Sequence, residues 1–192
     1  MNIYPANVLS IPHATESQTD AAQYMIRHKQ KQYNLCGQFC VAFCMSDNTG
    51  SKDIDEFLNY WEAQVLKWYQ SAFRGGLSRT TGIYDLEAML SAYGIKTPCA
   101  RVLFPYMPRL WSDLLKEYQV ILGVHIDHTG YLVGKGIPHW IVLDDILVVN
   151  DSHAICKIYN PFTNAFEPYS WRELMNSTGA YKQGIWVNRF TE

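Results

Sequence analysis

The spacing of apolar positions changes near the middle of the chain. In KDIDEFLNYWEAQVLKWYQ, residues 52–70, Ile54, Phe57, Leu58, Trp61, Val65 and Trp68 recur at three- and four-residue steps. That pattern predicts a long amphipathic helix, with Ser51 as its N-cap and Asp53 and Asp55 in the first turn, where the helix dipole favours them. TDAAQYMIRHKQ, residues 19–30, reads as a helix opened by a Thr/Asp cap. IYDLEAMLSAYG, residues 83–94, reads as another, stopped by Gly94. MPRLWSDLLKEY, residues 107–118, adds one with Pro108 in its first turn. A helix over residues 36–45 puts Phe39, Cys40, Phe43 and Cys44 on one apolar side, and SDNTGS breaks it.

Beyond residue 118 the helical period disappears. QVILGVHI, HWIVLDD, ILVVND and AICKIYNP are apolar and β-branched, with short turns rich in Gly, Asp and Asn between them. They predict an antiparallel meander. SWRE at 170–173 is a capping box for a short helix, and GIWVNRF is a closing strand. Helices first and strands afterwards indicate an α+β fold with two lobes rather than a βαβ winding. The expectation is a single domain over 1–192, with an irregular arm at 1–18, a helical lobe at 19–118 and an antiparallel sheet lobe at 119–192.

Composition narrows the function. Of 192 residues, 48% are hydrophobic and only 18% charged, which suits a packed core and not a disordered chain. The net charge of −2 gives no basic excess, so nucleic acid is not an expected partner, and the RHK at 27–29 reads as a solvated face. The longest apolar runs, such as WIVL and ILVV, fall far short of the ~20 residues that span a bilayer. The first residues show neither the basic nor the apolar region of a secretory signal, so a cytoplasmic, bacterial setting is expected. Five cysteines, an odd number, then read as thiols rather than a disulfide framework.

The chemistry concentrates in QKQYNLCGQFCVAFC, residues 30–44, where Cys36, Cys40 and Cys44 stand four apart. Zinc favours spacings such as C-x2-C, which the chain lacks, so no metal and no cofactor are expected. Cys40 and Cys44, among Phe and Val, read as packing thiols, and Cys99 and Cys156 as structural. Cys36 stands at the helix start, where free N–H groups and the dipole favour a thiolate. Its own N–H is placed to meet a developing oxyanion, and Gly37 leaves space for a substrate backbone. A nucleophile needs a base, and the base an orienting group. Of six histidines, His13 and His28 read as surface residues, and His125, His128 and His153 as turn or strand-end residues. His139 begins an apolar strand directly after GKGIP. Asn160, before Pro161, is a turn starter, and equally a group that could accept an imidazole N–H.

Three motifs in order, Q-K-Q-Y-N-L-C-G-Q-F-C (Gln30 to Cys40), G-I-P-H-W-I-V-L (Gly136 to Leu143) and Y-N-P (Tyr159 to Pro161), resemble the papain-like cysteine peptidases, in particular the C39 and C39-like branch known from bacteriocin leader processing. The similarity runs from about Gln30 to about Trp171. It implies a papain-like two-lobe fold, Cys36 as nucleophile, His139 as general base and acid, Asn160 as the residue orienting His139, and Gln30 as a side-chain oxyanion donor, with Gln32 a competing candidate. Leu35 stands where the family commonly has Asp, and Gln38 where it often has Pro. The chain carries no P-loop motif of the kind found in the exporters to which leader peptidases are fused. The inserted helical region, 52–118, is expected to set substrate choice.

The resemblance implies a thiol hydrolase acting on a peptide or isopeptide bond of a peptide or protein substrate. An acyltransferase, a transglutaminase-like enzyme or a glutamine deamidase would use the same Cys-His-Asn site. A non-enzymatic peptide-binding module of the same fold is the third reading. Trp140, Tyr131, Trp171 and Trp186 are candidates for a substrate groove, Trp140 foremost because it adjoins the base; each equally suits a packed core.

Overall fold

The computed structural model describes residues 36–47, 81–92, 94–95, 108–150, 153–179 and 183–189. Among them four helices and one five-stranded antiparallel sheet make an α+β fold. Helix α1 is Cys36–Asp47, α2 Ile83–Ala92, α3 Pro108–Leu114 and α4 Trp171–Ser177. The strands are β1 Tyr118–Ile126, β2 Ile137–Asn150, β3 His153–Asn160, β4 Ala165–Ser170 and β5 Gly184–Asn188, in the order β4-β3-β2-β1-β5. β1, β2 and β3 form an antiparallel meander where one was expected, β4 extends it, and β5 returns to pair with β1. The helices predicted over 19–30 and 52–70, and the arm at 1–18, lie outside the described residues.

Period-two alternation sends each strand's side chains to two cores. Ile121, Trp140, Val142, Tyr159, Ile185 and Val187 pack with α1 and α2 on one face. Val120, Leu122, Ile141, Leu143, Cys156 and Ile158 pack with Trp111 and Trp171 on the other. The sheet is thus covered on both sides. Helix α1 is buried all round from Cys36 to Met45 rather than along one stripe.

Local signals account for the element ends. Gly94, at φ +78°, takes the left-handed conformation that ends α2, and the N–H of Ile95 reaches back to the Leu90 carbonyl. Ser170 and Glu173 form the capping box of α4. Two expectations change. HWIVLDD and ILVVND, read as two strands, are one 14-residue strand with a bulge between Leu143 and Asp145. AFEPYS is an unforeseen edge strand, β4, where Pro168 is tolerated because an edge residue need not donate to a ladder.

Asp144, at the bulge, turns inward. It accepts from Gln119 Nε2 at 3.0 Å, Lys157 Nζ at 2.8 Å and Arg189 Nη2 at 2.8 Å, and Arg189 Nε also donates to the carbonyls of Leu115 and Tyr118. This cluster ties the end of β5 to β2 and to the loop after α3.

Candidate active site

Cys36 begins α1, as its position before Gly37 suggested, and is 6% exposed. The backbone N–H groups of Trp140, Gly37 and Cys36 itself face its sulfur and favour the thiolate. The contact with Trp140 joins the start of α1 to β2 one residue from His139. The observed β2–β3 pairing ends at Val142↔Tyr159, so the Trp140 N–H lies past the last ladder pair. The sulfur therefore sits beside the strand where β3 turns away.

The helix start was expected to depress the thiol pKa. Burial outweighs it, pushing Cys36 up to about 11, with the three N–H groups opposing. Cys40 is fully buried and raised well above the usual thiol range, first by burial and then by the neighbouring thiols Cys36 and Cys44. Burial also holds Cys156 up, at about 12. Cys40 and Cys156 are unbridged. Cys40, Cys44 and Cys156 are core residues, while Cys99 lies outside the described residues.

His139 is the third residue of β2 and is 4% exposed. Its Nε2 lies 3.0 Å from Asn160 Oδ1, at the end of β3. Strand alternation puts both side chains on the Ile141/Ile158 face, which is how a motif at 139 and another at 160 meet across adjacent strands. His139 Nδ1 is buried with no hydrogen-bond partner. Burial drives the imidazole pKa down to about 4, against the Asn160 hydrogen bond and the Glu167 charge, which both raise it. In this closed arrangement thiol and imidazole are both neutral near pH 7.

Asn160 is fully buried and saturated. Oδ1 also accepts from the Phe162 N–H at 3.0 Å, and Nδ2 donates to the Gly130 carbonyl and Glu167 Oε2, each at 3.1 Å. Gly130 sits at φ +94°, and a Cβ there would run into the Phe162 ring. Gly130→Ala is accordingly expected to lower stability by about 1–3 kcal/mol and to loosen Asn160. Urea unfolding measures the first, and the His139 ring resonances report the second.

The substrate-facing expectations fare differently. Gly37 is approached closely by the chain itself: a Cβ would lie 2.6 Å from Thr81 Cγ2 and 2.9 Å from Leu86 Cδ2. Trp140 is buried and donates its indole N–H to the Thr81 carbonyl at 2.8 Å. Thr81 donates in turn to Gln38 Oε1 at 2.9 Å, while Gln38 Nε2 is buried without a hydrogen-bond partner. The segment at Thr81 and Gly82 thus packs against the helix start. Trp171 lies in the second core, Trp186 stacks on Trp111 with ring centroids 4.8 Å apart, and Tyr131 is exposed. Gln30 and Gln32 lie outside the described residues. Among the described residues, no group of three or more His, Cys, Asp or Glu side chains is arranged to hold a metal ion, and no helix is long and apolar enough to cross a membrane.

Glu167 and Thr81 were not foreseen. The signal for Glu167 was present: the NPFTN turn at 160–164 predicts a hairpin whose return strand brings residue 167 back beside 158 and 160. Comparison with family models and with curated proteins gives no match.

Proposed function

We propose that the protein is a papain-like, C39-like cysteine hydrolase with a two-lobe architecture, acting in a bacterial cytoplasm on a peptide or isopeptide bond of a peptide or protein substrate. The observation that carries this reading is the buried His139–Asn160 hydrogen bond, with the remaining imidazole nitrogen unpartnered, one residue along β2 from Trp140, whose backbone N–H faces the Cys36 sulfur at the start of α1.

Cys36 Sγ attacks the carbonyl carbon as its proton passes to His139. The carbonyl π-electrons move to oxygen, where the Cys36 N–H and, by the resemblance, Gln30 hold the oxyanion. Collapse breaks the C–N bond, and His139 delivers its proton to the leaving amine. Water then attacks the thioester, His139 takes the water proton, and the carboxylic acid departs as the thiol is restored. Because thiol and imidazole start neutral, proton transfer accompanies attack, as in a Ser–His pair.

The test is turnover of a peptide library, read by mass spectrometry, with Cys36→Ala as control. Cleavage that needs Cys36 supports a peptidase. Products joined to an added amine, or Gln converted to Glu, would move the same site to acyl transfer or deamidation. Reversible peptide binding, equal in wild type and Cys36→Ala and without turnover, would make it a binding module.

A further inference from the structure

We propose that Glu167 is a positioning residue of this site: its carboxylate locks the Asn160 amide in one orientation and so fixes His139 as the Nε2–H tautomer, leaving Nδ1 as the base. The inference deepens the hydrolase reading and rests on it for its functional meaning.

The argument follows from which atoms can donate. Around the Asn160 amide lie one backbone donor, the Phe162 N–H, and two groups that only accept, the Gly130 carbonyl and the Glu167 carboxylate. Turning the amide over would set its NH2 against the Phe162 N–H and its oxygen against both acceptors. Oδ1 must therefore face Phe162 and His139. An amide oxygen cannot donate, so His139 Nε2 carries the proton at 3.0 Å. Nδ1 is then the nitrogen with the open lone pair, and it is the one without a hydrogen-bond partner.

Glu167 is itself held in place. Tyr169 Oη donates to Oε2 at 3.0 Å, and Thr163 Oγ1 donates to Oε1. Asn160, Thr163, Glu167 and Tyr169 all belong to the β3–β4 hairpin, so one turn builds the whole support. Glu167 also brings a negative charge behind a histidine that must become cationic during catalysis, and the charge favours that cation. Glu167 is the charged group that acts on His139, Tyr169 on β4 is the titratable group bonded to Glu167, and Tyr131 in the β1–β2 loop faces Tyr169 in turn. Burial and the Glu167 charge both hold Tyr169 in its neutral form.

Two variants separate the carboxylate's roles. Glu167→Gln keeps an oxygen to accept from Asn160 but removes the charge; Glu167→Ala removes both. The readouts are the 15N shifts and titration of the His139 ring in the full chain, and the rate of Cys36 alkylation by iodoacetamide. In wild type the ring shifts should show the Nε2–H tautomer. Glu167→Gln should keep that tautomer but shift the imidazole titration to lower pH. Glu167→Ala leaves only the Gly130 carbonyl and the Phe162 N–H to orient the amide, so it should weaken the preference for the Nε2–H tautomer, shift the titration to lower pH as the Gln variant does, and slow Cys36 alkylation by about tenfold, at the low end of the loss seen when the outer partner of a metal-binding histidine is removed. Should Glu167→Ala fail to fold, the Gln variant's titration carries the test. Ring shifts and titration unchanged in both variants would overturn the proposal. The two readings fail separately. A tautomer that depends on Glu167, with alkylation indifferent to His139→Ala, leaves the positioning role standing and removes the hydrolase. The reverse pattern keeps the hydrolase and removes the role of Glu167.

Discussion

Under the proposed hydrolase reading, peptide turnover is expected to fall by about 10⁴- to 10⁶-fold in both Cys36→Ala and His139→Ala, the loss that follows when one member of a nucleophile–base unit is removed. The reason lies in the protonation states. Burial holds Cys36 near 11, so at pH 7 few molecules carry the thiolate, and the helix-start N–H groups do not reverse this. A buried neutral thiol needs a base beside it at the moment of attack. His139 is neutral above about pH 4 and keeps Nδ1 unpartnered. Removing the ring leaves a thiol without a base. Because members of such a unit act together, the double variant should lose no more than either single one. Asn160→Ala should lose less activity but also stability, since Asn160 holds the Gly130 carbonyl and the Phe162 N–H as well as His139. Circular dichroism of each variant separates lost chemistry from lost fold.

Asp144→Ala has the largest expected effect on stability, about 3 kcal/mol by urea unfolding. The carboxylate is 6% exposed and meets Arg189, Lys157 and Gln119 at once. Deleting it strands a partly buried guanidinium, and removing one partner of a buried pair costs about 3–5 kcal/mol. Lys157 is half exposed and adds little, which keeps the expectation at the lower end. Acid should expose the same cluster. Burial raises the Asp144 pKa, but the bonds from Lys157, Gln119 and Arg189 outweigh it and hold the pKa below the usual carboxylate value of 3.8. A depressed carboxylate stabilises the fold above its unfolded pKa and loses that contribution as pH falls through the folded one. His139 acts earlier. Its pKa drops from 6.5 to about 4 on folding, so the unfolded chain takes the proton first and stability declines from about pH 6.5 down to about pH 4. Two acid steps are expected. His139→Gln should remove the upper one and Asp144→Asn the lower.

The residues of the candidate site stand out locally in the sequence. Cys36 precedes a glycine at a helix start, His139 opens an apolar strand, and Asn160 closes another before a proline. The antiparallel meander then brings residues 139 and 160 together. What stayed hidden depends on contacts distant in sequence. The paired aspartates at 144 and 145 closed one predicted strand, because nothing near them shows that Arg189 compensates Asp144 inside a continuous strand. Pro168 obscured β4 and with it Glu167. The pKa of Cys36 was misjudged for a related reason: the helix dipole is a local property, whereas burial is a property of the fold. Gly37 likewise looked like room for a substrate and is packed by Thr81 and Leu86, 44 and 49 positions away.

The central claim is that Cys36 is a nucleophile served by His139. Its most direct test is the rate of iodoacetamide alkylation at each cysteine, followed by peptide mapping between about pH 5 and about pH 9, in wild type and His139→Ala. The account predicts a Cys36 rate nearly independent of pH in wild type, because the imidazole is neutral across that range and supplies the base. In His139→Ala the rate should drop and then climb ~tenfold per pH unit with the thiolate fraction. A Cys36 rate that climbs with pH in both proteins, as for the core thiols Cys40 and Cys156, would contradict it.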